Sequence, residues 1–271
     1  MSEKLVISYS ALAAFKNCPK SYEIEYDWKR QSNHENEAIK RGSTFHSYME
    51  QAAKGFDLAT VDSDSNNEMF NIASDYIQAR GVPSNIKHVE ESFYYEILPG
   101  VEFRVTPDLV YEKDNTTLVC RDWKTFGKRP PMDIHISDQA RFYIVVLEAL
   151  NPGYTVEFEF EYVRSERIGV PRPRSPAWSA QDSYFTVPYS LNPLQKAGTW
   201  RDLEEGIMSL VDAKARKVWY RTGRMGFGIG TCTGCLQRPL CNEEWEHGFV
   251  SQERLESLSI QKEFPVREEE T

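Results

Sequence analysis

The spacing of apolar and polar residues changes period several times along this chain. Ser8 or Ser10 can cap a short helix running through Phe15, and a turn follows at Cys18-Pro19. Between 36 and 54, Ile39, Phe45, Tyr48, Met49, Ala52 and Ala53 recur at the spacing of an amphipathic helix. The polar stretch DLATVDSDSNN reads as a loop, and a second helix is predicted over 67–80, stopped by Gly81-Val82-Pro83. Beyond it the pattern changes. Segments 88–98, 101–113 and 116–125 are rich in β-branched and aromatic residues and are divided by PG and DN turns, which predicts three consecutive antiparallel strands. Helical spacing returns over 133–150 and ends at Asn151-Pro152-Gly153. Residues 154–164 alternate strictly as a strand, 183–190 form another, and 169–180 is a candidate flexible loop. One long helix is predicted over 193–221, with Pro193 in its first turn, and a short one near 250–262. This order predicts a mixed α/β core, a sheet flanked by helices.

Composition narrows the class. The 271 residues, 40% hydrophobic, suffice for a buried core, and no run of 18 apolar residues suggests a membrane span. The start, MSEKLVISYSALAAF, lacks the basic region and apolar core of a secretory signal, so a reducing cytoplasm is expected, a host's if the chain is phage-encoded. A single domain is expected over 1–262, with its core at about 36–222, followed by an acidic tail at 263–271. The net charge of −9 argues weakly against a nucleic-acid partner. Against that, KTFGKR (124–129), 164–174 and KARKVWYRTGR (214–224) are basic, as a groove on an acidic body would be; ordinary solvated faces are the simpler account.

Candidate chemistry lies in TPDLVY and CRDWKT. If the turn between them has three residues, Asp114 to Thr116, Asp108 sits directly opposite Asp122 on one sheet face, and Lys124, two residues on, shares it. A two-residue turn would separate the aspartates. Adjacent carboxylates repel and call for a hard cation such as Mg²⁺ or Mn²⁺, and a nearby lysine can orient a water or offset charge on a phosphorane. Alone, D-x-K is usually a surface ion pair. His46 and Glu50 fall at i and i+4 on one helix face, as do Gln139 and Tyr143, which could contact a phosphate or sugar. Cys232, Cys235 and Cys241 form a C-x₂-C-x₅-C group one thiolate short of a four-cysteine site. Cys18 stands at a helix end, and Cys120 reads as a core or near-site thiol. On spacing alone, zinc and an iron–sulfur cluster fit such a site equally. No G-x₄-G-K-[ST] motif occurs, so no helicase motor is expected, and GFGIG (226–230) is a weak glycine string.

Taken in order, GSTFH, PDL, DWKT and QARFY resemble the RecB-type branch of the PD-(D/E)xK nuclease superfamily. Cys18 with the C-x₂-C-x₅-C group resembles its iron–sulfur members, the CRISPR-associated RecB-like exonucleases and AddB-type nuclease domains. The resemblance spans Ser8 to Cys241. It implies a restriction-endonuclease-like sheet flanked by helices, with segments 8–30 and 223–247 joined through a four-cysteine cluster. It further implies His46, Asp108, Asp122 and the Trp123 backbone carbonyl as metal ligands, Lys124 as the catalytic lysine, and Gln139 and Tyr143 as DNA contacts. Glu91 falls where many relatives carry a glutamate, and Glu50 ranks with it below the others. Thr106-Pro107 departs from the usual glycine and bends the strand. Cys18, Cys232, Cys235 and Cys241 would hold a cluster of the four-iron, four-sulfur type. With 213 residues between Cys18 and Cys232, it would act as a staple. The implied activity is Mg²⁺- or Mn²⁺-dependent DNA cleavage, commonly exonucleolytic on single strands or duplex ends, in recombination, repair or CRISPR-type processing. Partner proteins of recombination or CRISPR adaptation belong to that expectation. The competing readings are an inactive nucleic-acid-binding adaptor on the same fold and a zinc-stapled interaction protein.

Overall fold

The computed structural model describes residues 4–32, 37–61, 67–127, 137–166, 179–221, 235 and 237–262. β1 (Leu5–Ser8) leads into α1 (Tyr9–Asn17), α2 (Pro19–Tyr22), a π-helical turn over Glu23–Asp27 and β2 (Arg30–Ser32). Then come α3 (Glu37–Ala53), α4 (Leu58–Val61) and α5 (Glu68–Arg80). Five strands follow: β3 (Ile86–Val89), β4 (Phe93–Leu98), β5 (Val101–Val105), β6 (Leu109–Asp114) and β7 (Thr117–Phe126). The chain continues through α6 (Asp138–Leu150), β8 (Thr155–Arg164), α7 (Ala180–Ser183), β9 (Tyr184–Tyr189) and α8 (Pro193–Arg216). It closes with α9 (Arg238–His247), α10 (Gln252–Leu258) and β10 (Ser259–Gln261). Two compact units result, Met1–Val6 with Asn36–Leu203 and Ile7–Glu35 with Glu204–Thr271. No described helix is long and apolar enough to cross a membrane.

The first unit is built on a five-stranded sheet in the order β3-β6-β7-β8-β9. β7 and β8 run parallel and every other neighbouring pair antiparallel, so α6 serves as the crossover between β7 and β8. The composition of α6 explains its place. Ala140, Phe142, Tyr143, Ile144, Val145, Val146 and Leu147 are all buried, too many for one stripe. Its rings meet a sheet on either side: Tyr143 lies 6.0 Å from Phe158 of β8, and Phe142 lies 6.1 Å from Phe103 of β5. β5 and β4 form a hairpin in that second, three-stranded sheet, at whose margin Leu5 N donates to Gly100 O (3.0 Å).

The other face of the large sheet carries the core beneath α3 and α5. Phe45, Met49, Ile72, Ala73 and Tyr76 pack there with Leu109, Trp123 and Val163. The α5 boundaries follow from its ends. Asn67 Oδ1 accepts from the Met69 amide (3.1 Å), and Gly81, with φ 73°, takes the left-handed step that stops it.

Three sequence expectations change. The strands expected over 88–98 and 101–113 are each broken in two. Glu90 adopts φ 52°, ending β3, and Pro107, with no amide proton for a ladder, lets the chain pass from β5 to β6 in the other sheet. The helix expected over 193–221 ends at Arg216, where Lys217 turns left-handed (φ 53°). α4 and the β2–β10 pair were not anticipated, being too short to establish a period, and α9 was not because its ten residues carry few apolar positions. Residues 133–136 of the expected α6 and most of the 169–180 loop lie outside the described residues.

In the second unit, Ser8 Oγ caps α1 by accepting from the Ala11 amide (3.2 Å). α1 approaches α8 closely: a Cβ added to Gly206 would meet Leu12 Cδ1 at 3.4 Å. Phe15, Tyr22 and Trp219 form an edge-to-face and tilted aromatic group with centroids 5.3–6.4 Å apart. Lys20, buried at its head, is paired with Glu23 and, at 2.6 Å, with Glu244 of α9.

The first unit offers a stability test. Tyr76 is fully buried, and its hydroxyl accepts the Trp123 indole N–H at 3.2 Å. Tyr76→Phe keeps the ring and strands that donor, so the unfolding free energy should fall by about 1–3 kcal/mol. Phe45→Ala should cost about 3–5 kcal/mol through its cavity. Urea midpoints at constant m-value check both.

Candidate active site

The site begins with strand register. β6 and β7 are joined by Asn115 and Thr116 alone, a two-residue connection that would by itself put Asp108 and Asp122 on opposite faces. A bulge between Glu112 and Asp114 restores the alignment, so Leu109 stands opposite Arg121 and, one step on, Asp108 opposite Asp122. β3 extends the row: Val89 pairs with Leu109, which brings Glu90 beside Asp108, and the Glu90 amide donates to Asp108 O (3.1 Å). Three carboxylates thus lie across three neighbouring strands.

Helices complete the group. His46, on α3, holds Nδ1 3.2 Å from Asp108 Oδ2. Atoms of His46, Glu90 and Asp108 able to bind a metal all lie within 4.8 Å of one another. Asp108 Oδ2 also accepts the Trp123 amide at 2.7 Å. On α6, started by the Ser137 cap, Gln139 Nε2 donates to Asp122 Oδ1 at 2.6 Å. Lys124 Nζ lies 2.5 Å from Asp122 Oδ2, an ion pair that holds the second oxygen of this buried carboxylate. Tyr143, almost fully buried, points its hydroxyl at the Thr106 backbone (3.4 Å to both N and O), where it positions the turn leading to Asp108.

Crowding of acids shows in their protonation. Burial, then the charge of Asp108, pushes the Glu90 carboxyl up to about 7, against the pull of His46. Asp122 is raised by burial and by Asp108, with Lys124 and His46 opposing. For His46, burial favours the neutral ring, but the hydrogen bond and charge of Asp108, with Asp122, outweigh it and raise its pKa. Burial likewise opposes the Lys124 charge, and Asp122 more than restores it, so Lys124 stays an ammonium. Cys120, fully buried beneath Asp122, has its thiol pushed well up by burial and is inert at neutral pH.

These positions bear on the sequence expectations. His46, Asp108, Asp122, Lys124 and Gln139 come together, with the Trp123 backbone beside them. The glutamate in the group is Glu90, not Glu91, which is largely exposed and 2.5 Å from His88 Nδ1. Glu50 pairs with Lys54 at 2.6 Å. Cys18, Cys235 and Cys241 line one cavity of about 430 Å³ with Arg221 and Trp245. Arg221 Nε donates to Cys241 Sγ at 3.2 Å. Cys232 lies outside the described residues, as do large parts of the basic stretches; of these, Arg164 is buried, bonded to the carbonyls of Gly127 and Asp182.

The donor set suits a hard divalent ion: carboxylate oxygens and one imidazole close together, with the buried Asp122 carboxylate beside them. Cys18, Cys235 and Cys241 line their cavity together with Arg221, and thiols are the donors that a thiolate-bound metal group requires.

Asp122→Asn removes a destabilising charge from the metal-free protein. In chelator its melting temperature should rise, by about 2–4 °C for each kcal/mol relieved. Added Mn²⁺ should raise the wild-type melting temperature and leave the variant's nearly unchanged. Glu90 binds its proton more tightly folded than unfolded, so it lowers metal-free stability as pH rises from about 4.5 through about 7. Glu90→Gln should flatten that part of the pH profile.

Comparison with known proteins adds the family. Among curated proteins, none matches this sequence. A solved structure from Eubacterium rectale, named as a candidate exonuclease, aligns with a TM-score of 0.51 over 81% of this chain and 85% of its own, at 14% identity, a likeness of fold. An alkaline exonuclease from Laribacter hongkongensis aligns over 78% of this chain and 94% of its own at 14% identity, with a TM-score of 0.39, too low to argue from. The family model described as the PD-(D/E)XK nuclease superfamily matches residues 6–96 and 78–242, nearly the whole chain, and this protein belongs to that superfamily.

Proposed function

We propose that this protein is a divalent-metal-dependent DNA nuclease of the RecB type, acting on single strands or DNA ends, with an iron–sulfur cluster as a structural staple. The observation that carries the reading is the row Glu90–Asp108–Asp122, flanked by His46 and by Lys124, which is ion-paired to the buried Asp122 carboxylate. Mg²⁺ or Mn²⁺ bound by His46, Asp108 and Asp122, with the Trp123 carbonyl and Glu90, would supply Lewis-acid activation of a water and a phosphate oxygen. The protein's own residues do the rest. Gln139 fixes one oxygen of Asp122, and the other, ion-paired to Lys124, is the one that would face the ion. Trp123 N–H and His46 orient Asp108. Lys124, held as an ammonium by Asp122, is placed to hydrogen-bond the attacking water and offset charge gathering on the phosphate oxygens. Tyr143 serves by fixing the Thr106 turn, and Gln139 reaches substrate only by releasing Asp122. The setting that suits this chemistry is recombination, repair, or CRISPR-type or phage DNA processing.

End-labelled single and double strands incubated with Mn²⁺, Mg²⁺ or chelator provide the test. Metal-dependent cleavage is expected, with Lys124→Ala and Asp122→Ala falling below about one-hundredth of wild type while remaining folded. No cleavage of any substrate with either metal would remove the reading in favour of an inactive DNA-binding adaptor.

The staple has its own measurement. Cys18, Cys232, Cys235 and Cys241 holding a four-iron, four-sulfur cluster should give a brown protein with broad visible absorption when purified anaerobically. Cys235→Ala should lose solubility or melting temperature before chemistry. A colourless protein with stoichiometric zinc would replace the cluster with zinc.

A further inference from the structure

The sheet face that carries Asp122 and Lys124 continues as a row of aromatic side chains. Lys124 pairs with Tyr162 on β8, and Tyr162 pairs with Phe185 on β9, so the three share one face and one line across the sheet. Phe158, Phe160 and Tyr162 pack in sequence along β8, with centroids 4.7 Å and 6.0 Å apart, and Lys124 Nζ lies 5.7 Å from the Phe160 ring. All three are buried, as is Phe126 at the end of β7. Phe185 is the half-buried member. Its ring lies parallel to Tyr162, 9° apart in plane with centroids at 4.9 Å, and Phe126 braces it at 5.5 Å.

Paired side chains stacked in this way leave one ring face turned inward, against Tyr162, and the other turned outward along the strand-to-strand direction. β9 is the terminal strand of the sheet, and among the described residues no strand pairs beyond it. Among the described residues, no neighbouring strand covers the outer face of Phe185. The β9 residues that share this face, Val187 and Tyr189, carry no negative charge to repel a phosphate backbone. Two strand spacings of about 4.8 Å separate Phe185 from Lys124, a reach of a few nucleotides from the metal-binding carboxylates.

We propose that Phe185 is a base-stacking platform: an unpaired nucleobase of the DNA strand lies flat on its outer face, extending the Tyr162–Phe185 stack while the backbone runs toward Lys124. This rests on the nuclease reading and adds to it a substrate class, single-stranded ends. A flat aromatic face accepts any base, so the contact anchors the strand without reading sequence. Bases within a duplex are already stacked on both sides and paired, so only an unpaired or frayed end can use it. Buried Tyr162 and Phe126 hold the platform rigid, so little ordering is required when the base arrives.

The test uses the full-length protein and single strands of about 12 nucleotides, with Ca²⁺ in place of Mg²⁺ so that the strand stays intact. 2-Aminopurine is placed at each position in turn. One position, within a few nucleotides of the cleaved bond, should be quenched on binding to wild type. Phe185→Leu keeps an apolar side chain but no stacking face. It should abolish that quenching and weaken single-strand binding about tenfold, with the melting temperature unchanged and blunt-duplex binding little affected. Phe185→Trp should restore both. Absence of any quenched position, or equal single-strand affinity in Phe185→Leu, overturns the proposal and leaves Phe185 as packing at the sheet edge. Metal-dependent cleavage by the same preparation separates the two ideas. If cleavage persists without quenching, only the platform fails; if neither cleavage nor binding occurs, the nuclease reading fails and the platform with it.

Discussion

Two buried carboxylates held side by side are an unfavourable arrangement, and much of the first unit serves to enforce it. Asp108 and Asp122 cannot drift apart because backbone ladders, not side-chain contacts, set their separation. Their alignment depends on one extra residue at the β6–β7 turn, the bulge that offsets a connection one residue too short. The surrounding groups stabilise each charge only in part. Asp108 receives an amide and an imidazole, while Asp122 receives an amide side chain and an ammonium. The remainder shows at Asp122 and at neighbouring Glu90, whose carboxyls are raised above their ordinary range. Stored electrostatic repulsion of this kind is what a divalent ion relieves, so the cost in stability and the capacity to bind metal are the same feature.

The alternation of β7 makes such a site affordable in a small sheet. Asp122 and Lys124 face α6, and Trp123 between them faces the opposite side, where it is nearly fully buried and donates to Tyr76. Each step along the strand thus exchanges chemistry for packing. The indole fixes the backbone whose amide orients Asp108 and whose neighbours carry the carboxylate and the lysine. Arg121, on the Trp123 side, is itself secured by Glu159 at 2.6 Å, and Tyr111 donates to the same carboxylate at 3.0 Å. A polar network well satisfied on one face gives the other face a rigid support.

Much of this was legible in the residues. Long periodic segments named α3, α5, α6, β7 and β8 with boundaries close to those found, because seven or more residues of consistent period leave little ambiguity. The ordered motifs pointed to His46, Asp108, Asp122, Lys124 and Gln139. Glu90 was hidden by a continuity that the backbone lacks. A hairpin about Pro99-Gly100 in the register Leu98 opposite Val101, if carried on unbroken, would put Glu91 opposite Asp108. The chain instead breaks at Glu90 and at Pro107 and changes sheets between, so Asp108 is paired from β3, and the parity shifts by one. Pro107 was visible as a departure. That it marks a change of sheet was not, because a sheet switch is decided by what α6 must bury on both sides. The two residues at the β6–β7 turn show the converse: the face assignment followed from a three-residue loop, whereas a shorter loop and a bulge reach the same end.

The second unit poses the opposite problem, too little core. Leu12, Phe15, Tyr22, Ile24, Ile207, Leu210 and Leu240 are buried there, but Val218, Tyr220, Trp245, Phe249 and Ile260 stand exposed. Its strands are three residues long, and its helices are tied largely by ion pairs, Lys20 with Glu244, Arg254 with Glu243 and Lys262 with Glu25. The pair with an exposed arginine, Arg254 with Glu243, contributes little, and the buried head of Lys20 loses much of what its pairs gain to desolvation. Residues from both ends of the sequence meet in this unit, so it must also meet the entropy of closing a very long loop. A thiolate-bound group shared by Cys18 at one end and Cys235 and Cys241 at the other would supply what the core does not. That is why loss of a cysteine should be felt first as loss of folding. Arg221 fits the same logic. Its hydrogen bond to Cys241 places a fixed positive charge where several thiolates would gather, and Glu244 ties that charge to Lys20, joining the site to the aromatic group beneath it.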